Sequence, residues 1–113
     1  MTERAEQAQH ARFRLDDVIH SPIRFSIVAA LAKVDSAEFS AVRDTVQVSD
    51  SVLSKQVTLL EQAGYVDVKK GYVGKRPRTW LALSPAGEQA FQAHLAALRA
   101  IAEGWQAPTQ RTP

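Results

Sequence analysis

The stretch of sequence that decides the fold is SDSVLSKQVTLLEQAGYVDVKKGYVGKRPRTWLAL, residues 49–83. Its first part carries apolar side chains at intervals of three and four, which predicts an amphipathic helix over about residues 50–63. Ser49 has the side chain of a helix N-cap, and Gly64 stands where a left-handed residue commonly ends a helix. The inward-facing residues of this helix are Leu53, Val57 and Leu60.

The periodicity then changes, because apolar and polar residues begin to alternate. Residues 65–69 and 79–83 are therefore predicted to form two antiparallel strands. Between them, residues 71–78 contain two glycines and a proline and are predicted to form a longer loop. The hairpin is strongly basic, since residues 65–83 hold five of the chain's 14 lysines and arginines against one acid.

Further helices are predicted on both sides of this stretch. Ser21-Pro22 and Ser84-Pro85 each combine an N-cap with a proline suited to the first helical turn. Ser40 is predicted to cap a short helix that ends near Val46. The first helix has inward positions at Ile23, Ile27, Ala30, Leu31 and Val34. The order of elements predicts an α+β, mostly helical fold: a winged helix-turn-helix with a two-stranded β-hairpin wing and long terminal helices.

The outward face of the helix over residues 50–63 carries short polar groups, one amide and one cation. Glutamine can pair with adenine through two hydrogen bonds, lysine can contact guanine or phosphate, and serine or threonine can contact either. We expect no large aliphatic group on this face to hinder the approach of DNA. The predicted DNA contacts are Ser49, Ser51, Ser54, Lys55, Gln56 and Thr58.

The basic hairpin supplies a second set of candidate contacts. Lys75, Arg76 and Arg78 are predicted to bind phosphates or enter the minor groove, because a local basic patch favours a polyanionic partner. Lys69 and Lys70 have two open interpretations, DNA contact or protection of a strand edge. For Tyr72, two roles stay open: packing on a DNA sugar or covering the hairpin.

Two segments carry a family resemblance: SDSVLSKQVTLLEQAGYV, residues 49–66, and GYVGKRPRTWLALSPAGEQAF, residues 71–91. They resemble the recognition helix and wing of winged-helix transcriptional regulators related to the MarR and ArsR groups, over about residues 15–103. The resemblance implies that the predicted residues of the helix and wing contact double-stranded DNA. It also implies a homodimer on a pseudo-palindromic operator, and the regulator is expected to be a repressor.

Large apolar residues near both ends of the chain favour dimerisation, although the alternative that they cover the subunit's own core stays open. The predicted interface residues are Phe13, Leu15, Phe91, Leu95, Leu98 and Trp105. A cleft near Trp80 or Trp105 is a further candidate, as a site for a small apolar effector.

Composition limits the remaining classes of function. The chain has no cysteine, which excludes disulfides and thiolate metal sites. The histidines match no metal-ligand spacing, no catalytic constellation is recognisable, and neither a cofactor nor a metal is expected. We expect a cytoplasmic protein without membrane contact, because no run of apolar residues is long enough to span a bilayer and the N-terminus lacks the apolar core of a signal peptide.

The predicted organisation has three parts: a helical or flexible arm over residues 1–14, a DNA-binding domain over residues 15–106 and a disordered tail over residues 107–113. The main alternative function is a winged helix that binds a protein partner instead of DNA. RNA binding is disfavoured, because only Tyr72 offers an aromatic ring for stacking on single strands.

Overall fold

The computed structural model describes residues 9–104, so most of the predicted arm, Trp105 and the predicted tail lie outside the described residues. The chain begins there with a 3₁₀ helix, Ala11–Arg14. The α-helices are α1 (Pro22–Leu31), α2 (Phe39–Val46), α3 (Asp50–Gln62) and α4 (Pro85–Glu103). The strands are β1 (Ala37–Glu38), β2 (Val66–Val73) and β3 (Arg76–Leu83). The predicted α+β fold is confirmed, although the N-terminal element of this region is a 3₁₀ helix of four residues instead of a long helix.

Serine side chains start three of the helices, as the sequence predicts. Ser21 accepts a hydrogen bond from the backbone N–H of Arg24, and Ser49 accepts one from Val52. Ser84 caps α4 in the same way. Each cap satisfies one of the backbone donors that a helix leaves unpaired at its first turn.

The start of α2 differs from the prediction. Glu38 occupies the N-cap position without a side-chain hydrogen bond, so the prediction of Ser40 as the cap is wrong. The physical reason lies in β1, where Ala37 and Glu38 pair with Leu81 and Trp80 of β3. This pairing holds the chain extended up to Glu38, and the helix begins at the next residue.

The hairpin belongs to a three-stranded antiparallel sheet in the order β1-β3-β2. Its strands are longer than predicted, because Val73 still pairs with Arg76 and the connecting turn is only Gly74-Lys75. Gly74 has a φ of 63°, as the first central residue of a type II′ turn requires. The predicted loop over residues 71–78 is therefore wrong, and the wing is a paired ribbon almost to its tip.

The core lies where the helices meet one face of the sheet. Residues from every α-helix and from β2 and β3 form it: Ile27, Val28, Leu31, Val42, Leu53, Val57, Leu60, Val66, Leu81 and Phe91. The row of buried apolar residues on α1 ends at Leu31. Val34 is 49% exposed, so the prediction that Val34 faces inward is wrong. The helix stops before the stripe could continue, because residues 32–34 form a turn.

The helix α4 packs against the core on one side and against the 3₁₀ helix on the other. Phe91 is 8% exposed and lies beside Phe25, with ring centroids 5.8 Å apart and ring planes tilted by 46°. Its predicted place in a dimer interface is therefore wrong, because the subunit itself buries it. Leu95 also packs against the core, whereas Phe13 is 61% exposed.

Candidate nucleic-acid interface

The third helix presents a polar face to solvent. Leu53, Val57 and Leu60 fix its orientation by packing into the core. Four of the predicted DNA contacts are consequently exposed on the opposite side: Ser51, Ser54, Lys55 and Thr58. Ser49 is exposed at the N-cap, where its hydroxyl lies 3.2 Å from that of Ser51.

The same face also carries two aliphatic side chains. Val52 is 37% exposed and Leu59 is 40% exposed, so the expectation of a face without large aliphatic groups is wrong. At 3.6 residues per turn, Val52 and Leu59 fall beside Lys55 on one side of the helix. Apolar groups at such positions are suited to contact the methyl group of thymine.

The hydroxyl of Thr58 on this face already donates its proton within the helix. Thr58 donates from Oγ1 to the backbone carbonyl of Ser54 at 2.9 Å. Its hydroxyl oxygen therefore offers acceptor lone pairs outward, which suits an amino group of cytosine or adenine.

Gln56 lies at the edge of this face and is half-buried. Its side-chain oxygen Oε1 accepts a hydrogen bond from Nη1 of Arg24 in α1, at 2.8 Å. No local pattern in the sequence points to Arg24, because the two residues are 32 positions apart. The bond therefore affects which hydrogen-bonding atoms of Gln56 can face a base.

The two faces of the wing carry different basic residues. Lys70 pairs with Thr79, and Tyr72 pairs with Pro77, on the face that continues Val68 and Leu81. A groove of about 350 Å³ separates this face from α3, and both Lys70 and Thr58 line it. The structure thus brings Lys70 together with the exposed face of α3.

The stronger predicted contacts, Arg76 and Arg78, belong to the opposite face of the ribbon. Successive strand residues point to opposite sides, and these arginines alternate with Pro77 and Thr79. Lys69 shares their face, since it pairs with Trp80. Lys75 occupies the turn, where it extends past the end of both strands.

Arg78 is partly neutralised within the subunit. Its Nε lies 3.8 Å from Oε1 of Glu38, and both side chains are half-exposed. The pairing of Glu38 with Trp80 places its carboxylate on the Arg78 face of the sheet. Arg76 and Tyr72 are more exposed, and Tyr72 retains 73% of its accessible surface.

A second ion pair joins the two helices of the helix-turn-helix. Arg43 of α2 donates to Asp44 and to Asp50 of α3, each at 2.9 Å. These hydrogen bonds, to Asp44 first and then to Asp50, raise the already high pKa of Arg43. The connection between the helices is short, because Gln47 adopts a left-handed conformation with φ of 62°.

A partly buried polar cluster joins Asp16, Tyr65 and His94. Asp16 caps its own turn by accepting from the backbone of Val18 and Ile19, and it accepts from the Tyr65 hydroxyl at 2.6 Å. That bond to Asp16 raises the pKa of Tyr65. Burial lowers the pKa of His94, and the proximity of His20 lowers it further.

Two cavities bear on the expectation of an effector. One, of about 400 Å³, is lined by Trp80 together with Lys69 and Asp67. The other, of about 310 Å³, lies between Phe25, His94 and Leu98. Within residues 9–104, no group of three acidic, histidine or cysteine side chains is arranged to hold a metal ion. No helix in that part of the chain is long and apolar enough to cross a bilayer.

Comparison with known proteins agrees with this architecture. Residues 23–102 match the family model described as a winged helix DNA-binding domain. A transcriptional regulator homologue from Pyrococcus horikoshii is 25% identical and superposes with a TM-score of 0.72, over 92% of this chain and 97% of the other. The fold and the DNA-binding interpretation of the sequence are thereby confirmed.

Two further proteins are similar. An uncharacterized protein of Methanocaldococcus jannaschii is 26% identical over 78 residues, which are 69% of this chain and 85% of that protein. The PcaV transcriptional regulator of Streptomyces coelicolor, solved with its natural ligand, has a TM-score of 0.66 at 18% identity. That match covers 91% of this chain and 73% of PcaV, and it shows a shared fold.

Proposed function

The chain belongs to the winged helix DNA-binding domain family, and from that premise we propose that it is a homodimeric transcriptional repressor that binds a pseudo-palindromic operator. The family is one of DNA-binding proteins, and the protein is a DNA-binding regulator and not an enzyme. Sequence-specific recognition by the surface around α3, the subunit arrangement and the sign of regulation belong to the proposal.

The observation that carries the proposal is the shared groove between α3 and the wing. Ser54, Thr58 and Glu61 are its polar lining from the helix, and Lys70 and Thr79 are its polar lining from the sheet. Hydrogen-bonding groups that can reach base edges thus stand beside a cation that can bind the adjoining phosphates. Since α3 itself is nearly neutral, the electrostatic affinity must come from the wing.

We assign α3 to the major groove and the wing to the flanking backbone. Lys55 and Ser51 face outward near the N-terminal half of α3, the part of a recognition helix that contacts bases. Lys75 and Arg76 extend from the tip toward phosphates or the minor groove, which attracts arginine where it is narrow.

A second copy of the chain is the proposed partner in solution. Phe13 is exposed beside α4, with the guanidinium of Arg12 lying 4.3 Å from the centre of its ring. Leu15 directly follows the 3₁₀ helix and Leu98 belongs to α4, and both are half-buried. Two subunits joined here would present two recognition helices to half-sites roughly 34 Å apart.

A small-molecule effector is part of the proposal. PcaV has the same fold and was solved with its natural ligand. The cavity at Trp80 has a mostly apolar lining with one lysine and one aspartate, Lys69 and Asp67, so a small apolar or aromatic compound is the proposed ligand.

The experiment is a titration of the promoter of the protein's own gene across a series of salt concentrations. Replacing both Arg76 and Arg78 by alanine should reduce the slope of log affinity against log salt by about one for each lost phosphate contact. Arg99→Ala, which removes a charge from the exposed side of α4, is the matched control and should leave the slope unchanged. Weak binding to every duplex, with the same slope for wild type and double variant, would contradict the proposal and favour a protein partner.

A further inference from the structure

We propose that Arg24 draws the amide oxygen of Gln56 toward α1 and leaves the amide nitrogen as the group offered to a base, so that Gln56 favours guanine over adenine in the operator. This inference rests on the proposed placement of α3 in the major groove. It names a positioning residue outside the helix-turn-helix and reverses the base preference that a free glutamine would have.

The orientation of the Gln56 amide follows from the chemistry of its partner. A guanidinium has donors and no acceptor, so the atom that faces Arg24 at 2.8 Å must be the amide oxygen. The amide nitrogen, Nε2, therefore points away from Arg24. Within residues 9–104, the bond from Arg24 is the one hydrogen bond that the Gln56 side chain makes, which leaves both Nε2 protons for a ligand.

Arg24 is itself held in place from a second direction. Its Nε donates to the backbone carbonyl of Val18, in the turn that precedes α1. Asp16 stabilises this turn, because its carboxylate accepts hydrogen bonds from the backbone N–H groups of Val18 and Ile19. The guanidinium is half-buried between these partners, so the orientation of Gln56 is set before DNA arrives.

The consequence for base recognition is a change of preferred partner. Adenine shows an acceptor, N7, beside a donor, N6, and a glutamine pairs with both only if its oxygen and nitrogen face the base together. Guanine shows two adjacent acceptors, N7 and O6, which a lone amide nitrogen can satisfy. The oxygen of Gln56 keeps a second lone pair, but the bond from Arg24 holds this oxygen toward α1, so the N6 amine of adenine would meet a poorer acceptor than an unrestrained glutamine offers.

The test begins with duplexes selected from a random library by the wild-type protein. The position read by Gln56 is the one whose base preference disappears in Gln56→Ala. We expect guanine there in the wild type, with a discrimination against adenine of about tenfold. Gln56→Glu is the matched variant: it keeps a partner for Arg24, removes the donor and should lose the preference for guanine.

A role of Arg24 in base selection can be distinguished from a role in folding, because the two predict different changes in base preference. Arg24→Met frees Oε1, so the affinity for adenine at that position should rise relative to guanine by about tenfold, while preferences elsewhere stay the same. Arg24→Lys keeps a donor and should restore part of the guanine preference. A role of Arg24 in stability alone would lower the affinity for all sequences equally.

Three results would overturn the inference: adenine at the position in the wild type, an unchanged preference in Arg24→Met, or no position affected by Gln56→Ala. Each requires that the wild type selects a motif. Failure of the proposed function is distinguishable, because the wild type would then enrich no motif at all.

Discussion

The backbone N–H of Asp16 donates to Nδ1 of His94 at 3.0 Å, across 78 positions of sequence. The bond joins the segment before α1 to the middle of α4 and requires the tautomer in which Nδ1 is unprotonated. His94 is 1% exposed, and its ring lies 5.4 Å from that of His20 and 5.8 Å from that of Phe25. The neutral state of one histidine thus holds the two ends of the domain together.

This relationship leads to a pH-dependent stability. Burial and the neighbouring His20 lower the pKa of His94, while Asp16 opposes the shift. Below the ordinary histidine pKa of about 6.5, the unfolded chain binds a proton at His94 that the folded chain does not. The free energy of unfolding should therefore be fully developed above about pH 7 and decrease as the pH falls toward about 5, measured by urea denaturation.

A matched pair of variants isolates His94. In His94→Asn, the amide oxygen replaces Nδ1 as the acceptor and cannot titrate, so the decrease between about pH 7 and 5 should be smaller. His10→Asn changes an exposed histidine with a comparable local bond, from the N–H of Arg12, and should keep the wild-type profile. Identical profiles for all three proteins would contradict this assignment.

The start of α4 should not tolerate a side chain at Gly87. A Cβ there would overlap the backbone carbonyl of Tyr65 and lie 2.7 Å from Cδ1 of Leu83. The carbonyl cannot move freely, because it accepts the hydrogen bond from the Ser84 N–H at 2.9 Å. Gly87→Ala should lower the free energy of unfolding by about 2 kcal/mol, and the melting temperature by roughly 10 °C.

Gly64→Ala provides the comparison. Gly64 has φ of 81°, but nothing lies within 4 Å of an added Cβ, so only the left-handed conformation is unfavourable. Its cost should be about 1 kcal/mol. If Gly87→Ala proved no more destabilising than Gly64→Ala in thermal melts, the close packing of α4 against Tyr65 would be wrong.

Removing the carboxylate of Glu38 should strengthen DNA binding. Glu38 lies 3.8 Å from Arg78 and reduces the positive charge of the wing. Glu38→Gln should raise the affinity for duplex DNA several-fold at low salt, with little change in stability, because half-exposed ion pairs contribute about 0–1 kcal/mol.

The control is to repeat the Glu38→Gln substitution in a protein that already carries Arg78→Ala. In that background Glu38→Gln should have a much smaller effect, since the carboxylate has lost its partner. Equal gains with and without Arg78, measured by fluorescence anisotropy, would mean that Glu38 acts on DNA directly by repulsion.

Dimerisation should depend on the exposed aromatic ring near the N-terminus. Phe13→Ser removes an apolar group that is 61% exposed in the single subunit, so its effect on folding should be small. We expect sedimentation equilibrium to show a weaker dimer for this variant. An unchanged mass at all concentrations would place the interface elsewhere.

Local chemistry explains how much of the fold the sequence predicts. Ser21-Pro22 and Ser84-Pro85 define helix starts within a few residues, because cap and proline act on the adjacent turn. Gly71 shows the limit of such reasoning: its residue type predicts a loop glycine, yet it lies within β2, next to the ring of Trp80. An added Cβ there would lie 3.1 Å from Cζ3 of that ring.

The remaining differences arise from contacts between distant segments. The strand β1 has only two residues, so it is too short to show an alternation of apolar and polar side chains. Only its pairing with β3 defines it as a strand. The link between Arg24 and Gln56 depends on how α1 crosses α3, which no spacing along the chain encodes. For the same reason, the division of the basic residues between the two faces of the wing follows from strand register.

The most direct test of the account is the affinity of the wild-type protein for a duplex selected from a random library, compared with a scrambled duplex of equal length and composition at physiological salt. The account predicts tighter binding to the selected duplex by about a thousandfold or more. Equal affinities for the two duplexes would contradict the claim that α3 and the wing form a sequence-reading surface.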